Sequence, residues 1–236
     1  MSCALALAAC LTIHLRAPIT SGEWSKQTVY LWLLDSWYGQ SKDAKAQLLL
    51  IDDDCGNGIS HLKRICDETG FKAVFAVIPS RLSPENCDSL LKWQQEGFGV
   101  CPHGYNHDDW KNWSVKDITQ DIERSEKMLR EKGIREIYKY VVTPYGRNTH
   151  AIREAISAKG FKIITSARIV NPDTTVFQLG RVFIDKNTDV KSAEELLRKA
   201  KRQNAFVILG THSSNPEEFS PENTRSILKL AKKMNF

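Results

Sequence analysis

Residues Leu48-Leu49-Leu50-Ile51-Asp52-Asp53-Asp54 constrain this chain more than any other stretch. Four apolar residues without alternation read as a strand buried on both faces, the pattern of a parallel sheet. Three consecutive carboxylates then close it. Adjacent acids at the end of a buried strand repel one another and lose solvation, so the fold must compensate them. A strand-to-loop junction could leave them in water, one capping the next helix. Alternatively, they sit at the carboxyl edge of an α/β fold, where ligands and catalytic groups gather, and hold a metal.

The rest of the chain supplies the frame for that edge. Apolar runs predict strands over 46–51, 73–78, 98–101, 138–142, 161–165, 176–184 and 205–209. Helical spacing, with caps such as Ser83-Pro84 and Ser114 and stops such as Gly70, Gly97 and Gly133, predicts helices between most of them, one of them over 193–203. Strands separated by helices pair in parallel, because each return needs a crossover. The expected fold is therefore α/β, a distorted or incomplete (β/α) barrel with about seven parallel strands. A doubly wound open sheet is the alternative. Residues 45–236 form the barrel domain in this scheme, and residues 1–44 an N-terminal segment.

With 236 residues, 42% apolar and 26% charged, the chain can bury a full core. The net charge of +5 is spread out, and its densest runs, 198–202 and 229–233, fall on predicted helices. These read as solvated faces, so no nucleic-acid partner is expected. The six cysteines have no metal-ligand spacing, and Cys66, Cys87 and Cys101 fall on predicted core faces as free thiols. The apolar run over 2–13 is too short to span a membrane but resembles the hydrophobic region of an export signal. Leu7-Ala8-Ala9-Cys10 further resembles a lipoprotein box, with Cys10 as the lipidated residue. Export to the cell envelope or secretion is expected. Against a signal, no basic residue precedes the run and the run is very short, so the cytoplasm stays open as the alternative.

Unusual residues recur at the predicted strand ends. The third strand runs into Pro102-His103-Gly104-Tyr105-Asn106-His107, and two histidines four apart can face one metal. The fourth ends in Thr143-Pro144-Tyr145-Gly146 and the seventh in Leu209-Gly210-Thr211-His212. Singly, each has an ordinary explanation: capping histidines, a Pro-Tyr-Gly turn, a buried histidine bonded to backbone. Together they gather candidates at four strand ends.

Over about residues 46–212 the sequence resembles the polysaccharide deacetylase family, the NodB-homology or carbohydrate esterase family 4 enzymes. Leu50-Ile51-Asp52-Asp53-Asp54 stands where the family has Thr-Phe-Asp-Asp-Gly. His103-Gly104-Tyr105-Asn106-His107 stands for His-Ser/Thr-x-x-His, and Val142-Thr143-Pro144-Tyr145-Gly146 for Arg-x-Pro-Tyr-Gly. Leu209 and His212 match its last motif.

The resemblance implies a metal-dependent hydrolase that removes N-acetyl groups from amino sugars of a polysaccharide or cell-wall glycan. It implies a divalent ion, zinc in most of the family, held by Asp53, His103 and His107. Asp52 is then the general base, the Tyr145 backbone N–H an oxyanion donor, and His212 the acid for the departing amine. With Ile51 in the apolar slot of the motif, Asp52 and Asp53 are the preferred pair; Asp53 and Asp54 are the alternative register. Val142 replaces the family's arginine, Gly104 the Ser/Thr and Asp54 the glycine. The fourth motif, which supplies an Asp and a Trp, has no counterpart around 166–173. These departures keep a second possibility open, a non-catalytic carbohydrate-binding relative. A third is a hydrolase of small amides. If the protein is active, Arg147 or Arg168 is expected to supply the missing guanidinium.

Overall fold

The computed structural model describes residues 46–55, 59–166, 170–171 and 177–236. The expectations for residues 1–44, Cys10 among them, lie outside the described residues, as does Arg168. Seven strands form one sheet: β1 (Gln47–Cys55), β2 (Ala73–Val77), β3 (Gly99–Pro102), β4 (Tyr140–Val142), β5 (Lys162–Ser166), β6 (Gln178–Phe183) and β7 (Phe206–Thr211). Six helices accompany them among the described residues: α1 (Ser60–Thr69), α2 (Pro84–Gln95), α3 (Val115–Glu131), α4 (His150–Ala158), α5 (Val190–Gln203) and α6 (Pro221–Lys233).

The strand order is β3-β2-β1-β7-β6-β5-β4, and every paired neighbour is parallel. No ladder joins β3 to β4 among the described residues. The two end strands are instead tied by Tyr138 N–H to the Val100 carbonyl at 2.8 Å and by the His103 ring to the Val142 carbonyl at 2.7 Å. The result is the distorted, nearly closed (β/α) barrel that the alternation of elements predicts.

Strand alternation divides the core into layers. Ile51, Val74, Ala76, Cys101, Val142, Ile164, Leu179, Phe206 and Ile208 cluster as the barrel interior. Leu50, Phe75, Val100, Val207 and Leu209 instead cluster with residues of α1, α2, α5 and α6. Each fully buried Ile or Leu contributes about 2 kcal/mol, so these apolar layers carry most of the barrel's stability. Cys66, Cys87 and Cys101 are free and buried, as expected, and Cys55 joins them. Burial pushes the Cys66 thiol up to about 12, so these thiols act as packing groups.

Two elements differ from expectation. Helix α5 begins at Val190, three residues before the predicted 193, because Asp189 caps it by accepting from the N–H groups of Lys191 and Ser192. Strand β1 continues through all three acids to Cys55. Between Asp52 and Cys55 it carries one more residue than β2 opposite, a bulge with Asp54 at φ 55°. A bulge re-aims the side chains that follow it, and here it sits inside the acid cluster.

Candidate metal site

Each acid of β1 faces a different environment. Asp52 is fully buried against the end of β7: Thr211 Oγ1 donates to its Oδ1 at 2.7 Å, Ser213 N–H to the same oxygen at 2.8 Å, and Ser213 Oγ to Oδ2 at 2.5 Å. Burial pushes its pKa up to about 6, although the bonds from Ser213 and Thr211 oppose the shift. Asp53, two residues beyond Ile51, meets Arg181 of β6, whose Nη2 lies 2.6 Å from Asp53 Oδ2 with both side chains buried. That contact lacks hydrogen-bond geometry. Both Asp53 oxygens, and Nε and Nη1 of Arg181, have no hydrogen-bond partner among the described residues.

Asp54 is turned by the bulge toward β3. Its Oδ1 lies 3.0 Å from His103 Nε2 and 3.1 Å from His107 Nε2. Burial opposes ionisation of Asp54, but the His103 hydrogen bond and the charges of His103, His107 and His212 outweigh it and hold the carboxyl well below its usual range. Burial and then His103 push His107 below its ordinary value, which favours a neutral imidazole. The three donor atoms lie within 4.8 Å of one another.

The loop carrying the histidines is held from several sides. His103 N–H donates to Val77 at 3.0 Å and Ser80 N–H to Tyr105 at 3.2 Å, and Arg81 Nη2 donates to the Asn106 carbonyl at 3.0 Å. Tyr105 N–H donates to Asp121 of α3 at 2.8 Å. Gly104 is at φ 75°, and a Cβ there would lie 3.0 Å from Pro144 and 3.3 Å from Trp110. The Ser/Thr of the family motif would be strained on both counts, so its replacement follows from the local packing. Asp121→Ala is expected to cost about 1–3 kcal/mol by orphaning the Tyr105 N–H and to weaken metal binding about tenfold, as loss of an outer-shell partner does. Asp121→Asn, which keeps an acceptor, should do much less. Metal titration of the two variants measures both effects.

His103 is oriented as a ligand. Its Nδ1 donates to the Val142 carbonyl at 2.7 Å. A carbonyl only accepts, so Nδ1 carries a proton; Nε2, which donates to Asp54 Oδ1, is the nitrogen that would turn its lone pair to an ion in place of that proton. One carboxylate and two imidazoles converging in this way suit a divalent ion with coordination positions left open.

His212, at the end of β7, closes the far side. Its Nε2 lies 3.7 Å from Asp53 Oδ2 and 3.9 Å from Asp54 Oδ2, while Nδ1 pairs with Glu218 Oε2 at 2.6 Å. Its ring packs on Phe183 with centroids 4.7 Å apart. Tyr145 is 61% exposed, with its ring 4.6 Å from that of His107. Of the five non-glycine residues at positive φ among the described residues, three are here: Asp54, His107 and Tyr145. Such strain persists where the surroundings over-determine it, and it clusters at functional sites.

This placement departs from the preferred register. Asp54, not Asp53, meets the two histidines, and Asp52 sits behind them in a closed hydrogen-bond set. This is the geometry that the alternative pair, Asp53 and Asp54, requires. Arg147, one of the two expected stand-ins for the missing arginine, pairs with Asp109 at 2.7 Å instead. Arg181 and Glu218 belong to no motif in the sequence. A lone arginine in the apolar run Val176-Phe177-Gln178-Leu179-Gly180-Arg181-Val182-Phe183 was the available signal for the first; Glu218 had none beyond proximity to His212.

The family model described as polysaccharide deacetylase matches residues 39–164, just over half of the chain. The chain belongs to the polysaccharide deacetylase family. No curated protein matches it by sequence. Among solved structures it is similar to the chitin deacetylase of the fungal pathogen Colletotrichum lindemuthianum, at TM-score 0.62 and 18% identity over 82% of this chain and 84% of that one. It is also similar to a family 4 acetyl xylan esterase of Clostridium thermocellum in complex with a cobalt ion, at TM-score 0.58 and 15% identity over 80% and 85% of the two chains. A third is a family 4 pseudoenzyme of Bacillus anthracis, at TM-score 0.57 and 15% identity over 81% and 62%. At these identities the likeness is one of fold. No described helix is long and apolar enough to cross a membrane.

Proposed function

We propose that the chain is a metal-dependent deacetylase acting on N-acetylated amino sugars of a glycan, with Asp54, His103 and His107 as the ligands of a divalent ion, zinc first among candidates. The observation that carries this reading is the convergence of those three donors with Asp53 and His212 on the same side. When bound, the ion supplies Lewis acidity that lowers the pKa of water and polarises the acetyl carbonyl. The chain's own groups do the rest. Asp53, acceptor-only when ionised and with both oxygens free of hydrogen bonds, takes the proton from the attacking water. The Tyr145 backbone N–H donates to the developing oxyanion. His212, held through Nδ1 by Glu218, delivers a proton from Nε2 to the departing amine, so the products are acetate and a free amino sugar. Asp52 serves as a structural acceptor. Export through the apolar run at 2–13 would bring the protein to a cell-envelope glycan.

The second reading, a non-catalytic relative, is favoured by two features: Val142 leaves β4 without the family's arginine, and the family's fourth motif has no counterpart in the sequence around 166–173. A single experiment separates the two readings. Purified protein is assayed for bound metal and for acetate release from N-acetylated chito-oligosaccharides. About one equivalent of divalent ion, acetate release abolished by a chelator, and loss of both in a folded His103→Ala protein support the deacetylase. Bound metal without release from any acetylated glycan supports the relative, and full metal occupancy in His103→Ala overturns the site itself.

A further inference from the structure

Asp53 and Asp54 are adjacent carboxylates bordering the same space, their Oδ2 atoms 3.7 and 3.9 Å from His212 Nε2. A buried carboxylate without hydrogen bonds, this close to a cation site, would itself turn to the cation unless something else held it. What holds Asp53 comes from two strands away. Arg181 leaves β6, crosses β7 and reaches Asp53 on β1, with its guanidinium carbon 4.6 Å from the Phe183 ring centroid. The crossing is made at Gly210. A Cβ there would lie 3.1 Å from Arg181 Cδ and 3.2 Å from the Phe183 ring. Gly210 is not at positive φ, so its backbone does not require glycine; the passage of the arginine does.

We infer that Arg181 is a positioning residue that holds Asp53 off the metal, leaving Asp54 alone as the carboxylate ligand and Asp53 free to act on water. The inference rests on the metal ligands proposed above. It gives the neutral Val142 a meaning: the guanidinium enters from β6 over a glycine of β7, and β4 need not supply it. It also explains why a fully buried arginine is tolerated with two of its nitrogens unbonded, since its charge is matched by Asp53.

The test uses the full-length chain and four proteins: wild type, Arg181→Met, Asp53→Asn and the double variant. Zinc affinity is measured by competition with a chromophoric chelator, alongside kcat and KM for acetate release. Arg181→Met is expected to raise zinc affinity about tenfold, as Asp53 is freed to ligate. It should lower kcat about 10²-fold with KM within about threefold. In the Asp53→Asn background the same substitution should leave zinc affinity within about twofold, since the effect runs through Asp53. An equal change in both backgrounds would mean that Arg181 acts on the ion directly, and no change in either would mean that it does not govern the site; both overturn the inference. If the wild type binds zinc but releases no acetate, the deacetylase reading falls while the zinc cycle still decides this one. Should Arg181→Met fail to fold, Gly210→Ala displaces the arginine in place. It is expected to give a smaller rise in affinity, again abolished by Asp53→Asn.

Discussion

Asp53→Asn should retain the metal and lose about 10²–10⁴-fold in turnover, the scale of a positioned general base. Asparagine keeps the shape but its amide does not accept the proton. Metal should stay, because the three converging donors belong to Asp54, His103 and His107. Asp54→Asn should do the opposite. It removes the only carboxylate within hydrogen-bond distance of both imidazoles among the described residues, so metal affinity should fall by more than the roughly 10–100-fold typical of an outer-shell loss. Metal content and single-turnover acetate release, measured on both variants, check the pair together. If Asp53→Asn loses its metal while Asp54→Asn keeps it, the roles are reversed and the register preferred from the motif is restored.

That register shows where the sequence stops being legible. The barrel could be read because strand and helix periods are local: continuous apolar runs, capped amphipathic helices and their order suffice. His103, His107 and His212 could be read because strand ends place them on one edge of the fold. The order of the acids could not. With Ile51 in the apolar slot of the motif, the acids count from Asp52. Along a strand, however, Ile51 and Asp53 share a face, and the bulge after Asp52 turns Asp54 toward the histidines. A bulge is a property of the pairing between β1 and β2, so nothing within Leu48–Asp54 announces it. Arg181 and Glu218 were hidden for a related reason. Their partners, Asp53 and His212, are brought to them by the closing of the sheet and the turn after β7, not by spacing in the chain.

Asp52 gives the largest expected effect on stability, and its direction depends on the substitution. Folding raises its pKa from 3.8 to about 6 through burial, so in metal-free protein the folded state keeps a proton that the unfolded chain releases between about pH 4 and pH 6. Stability is therefore lost as pH rises through that window, by about 2–3 kcal/mol once both states are ionised. Asp52→Asn mimics the protonated form: its carbonyl oxygen accepts from Thr211 and Ser213 N–H, and the Ser213 hydroxyl rotates to accept from the new amide. The chelator-stripped variant should be more stable than wild type by about 2 kcal/mol at pH 7.5 and no more stable at pH 4. Asp52→Ala should instead be destabilised by about 3–5 kcal/mol at either pH, since three buried donors on Thr211 and Ser213 lose their acceptor. Urea unfolding of the three proteins at the two pH values measures this. With metal restored, Asp52→Asn should keep turnover within about fivefold of wild type, because a hydrogen-bonded acceptor that takes no proton contributes nothing unique to the transition state. Turnover abolished in Asp52→Asn, with metal still bound, would make Asp52 the base after all and reduce Asp53 to the partner of Arg181.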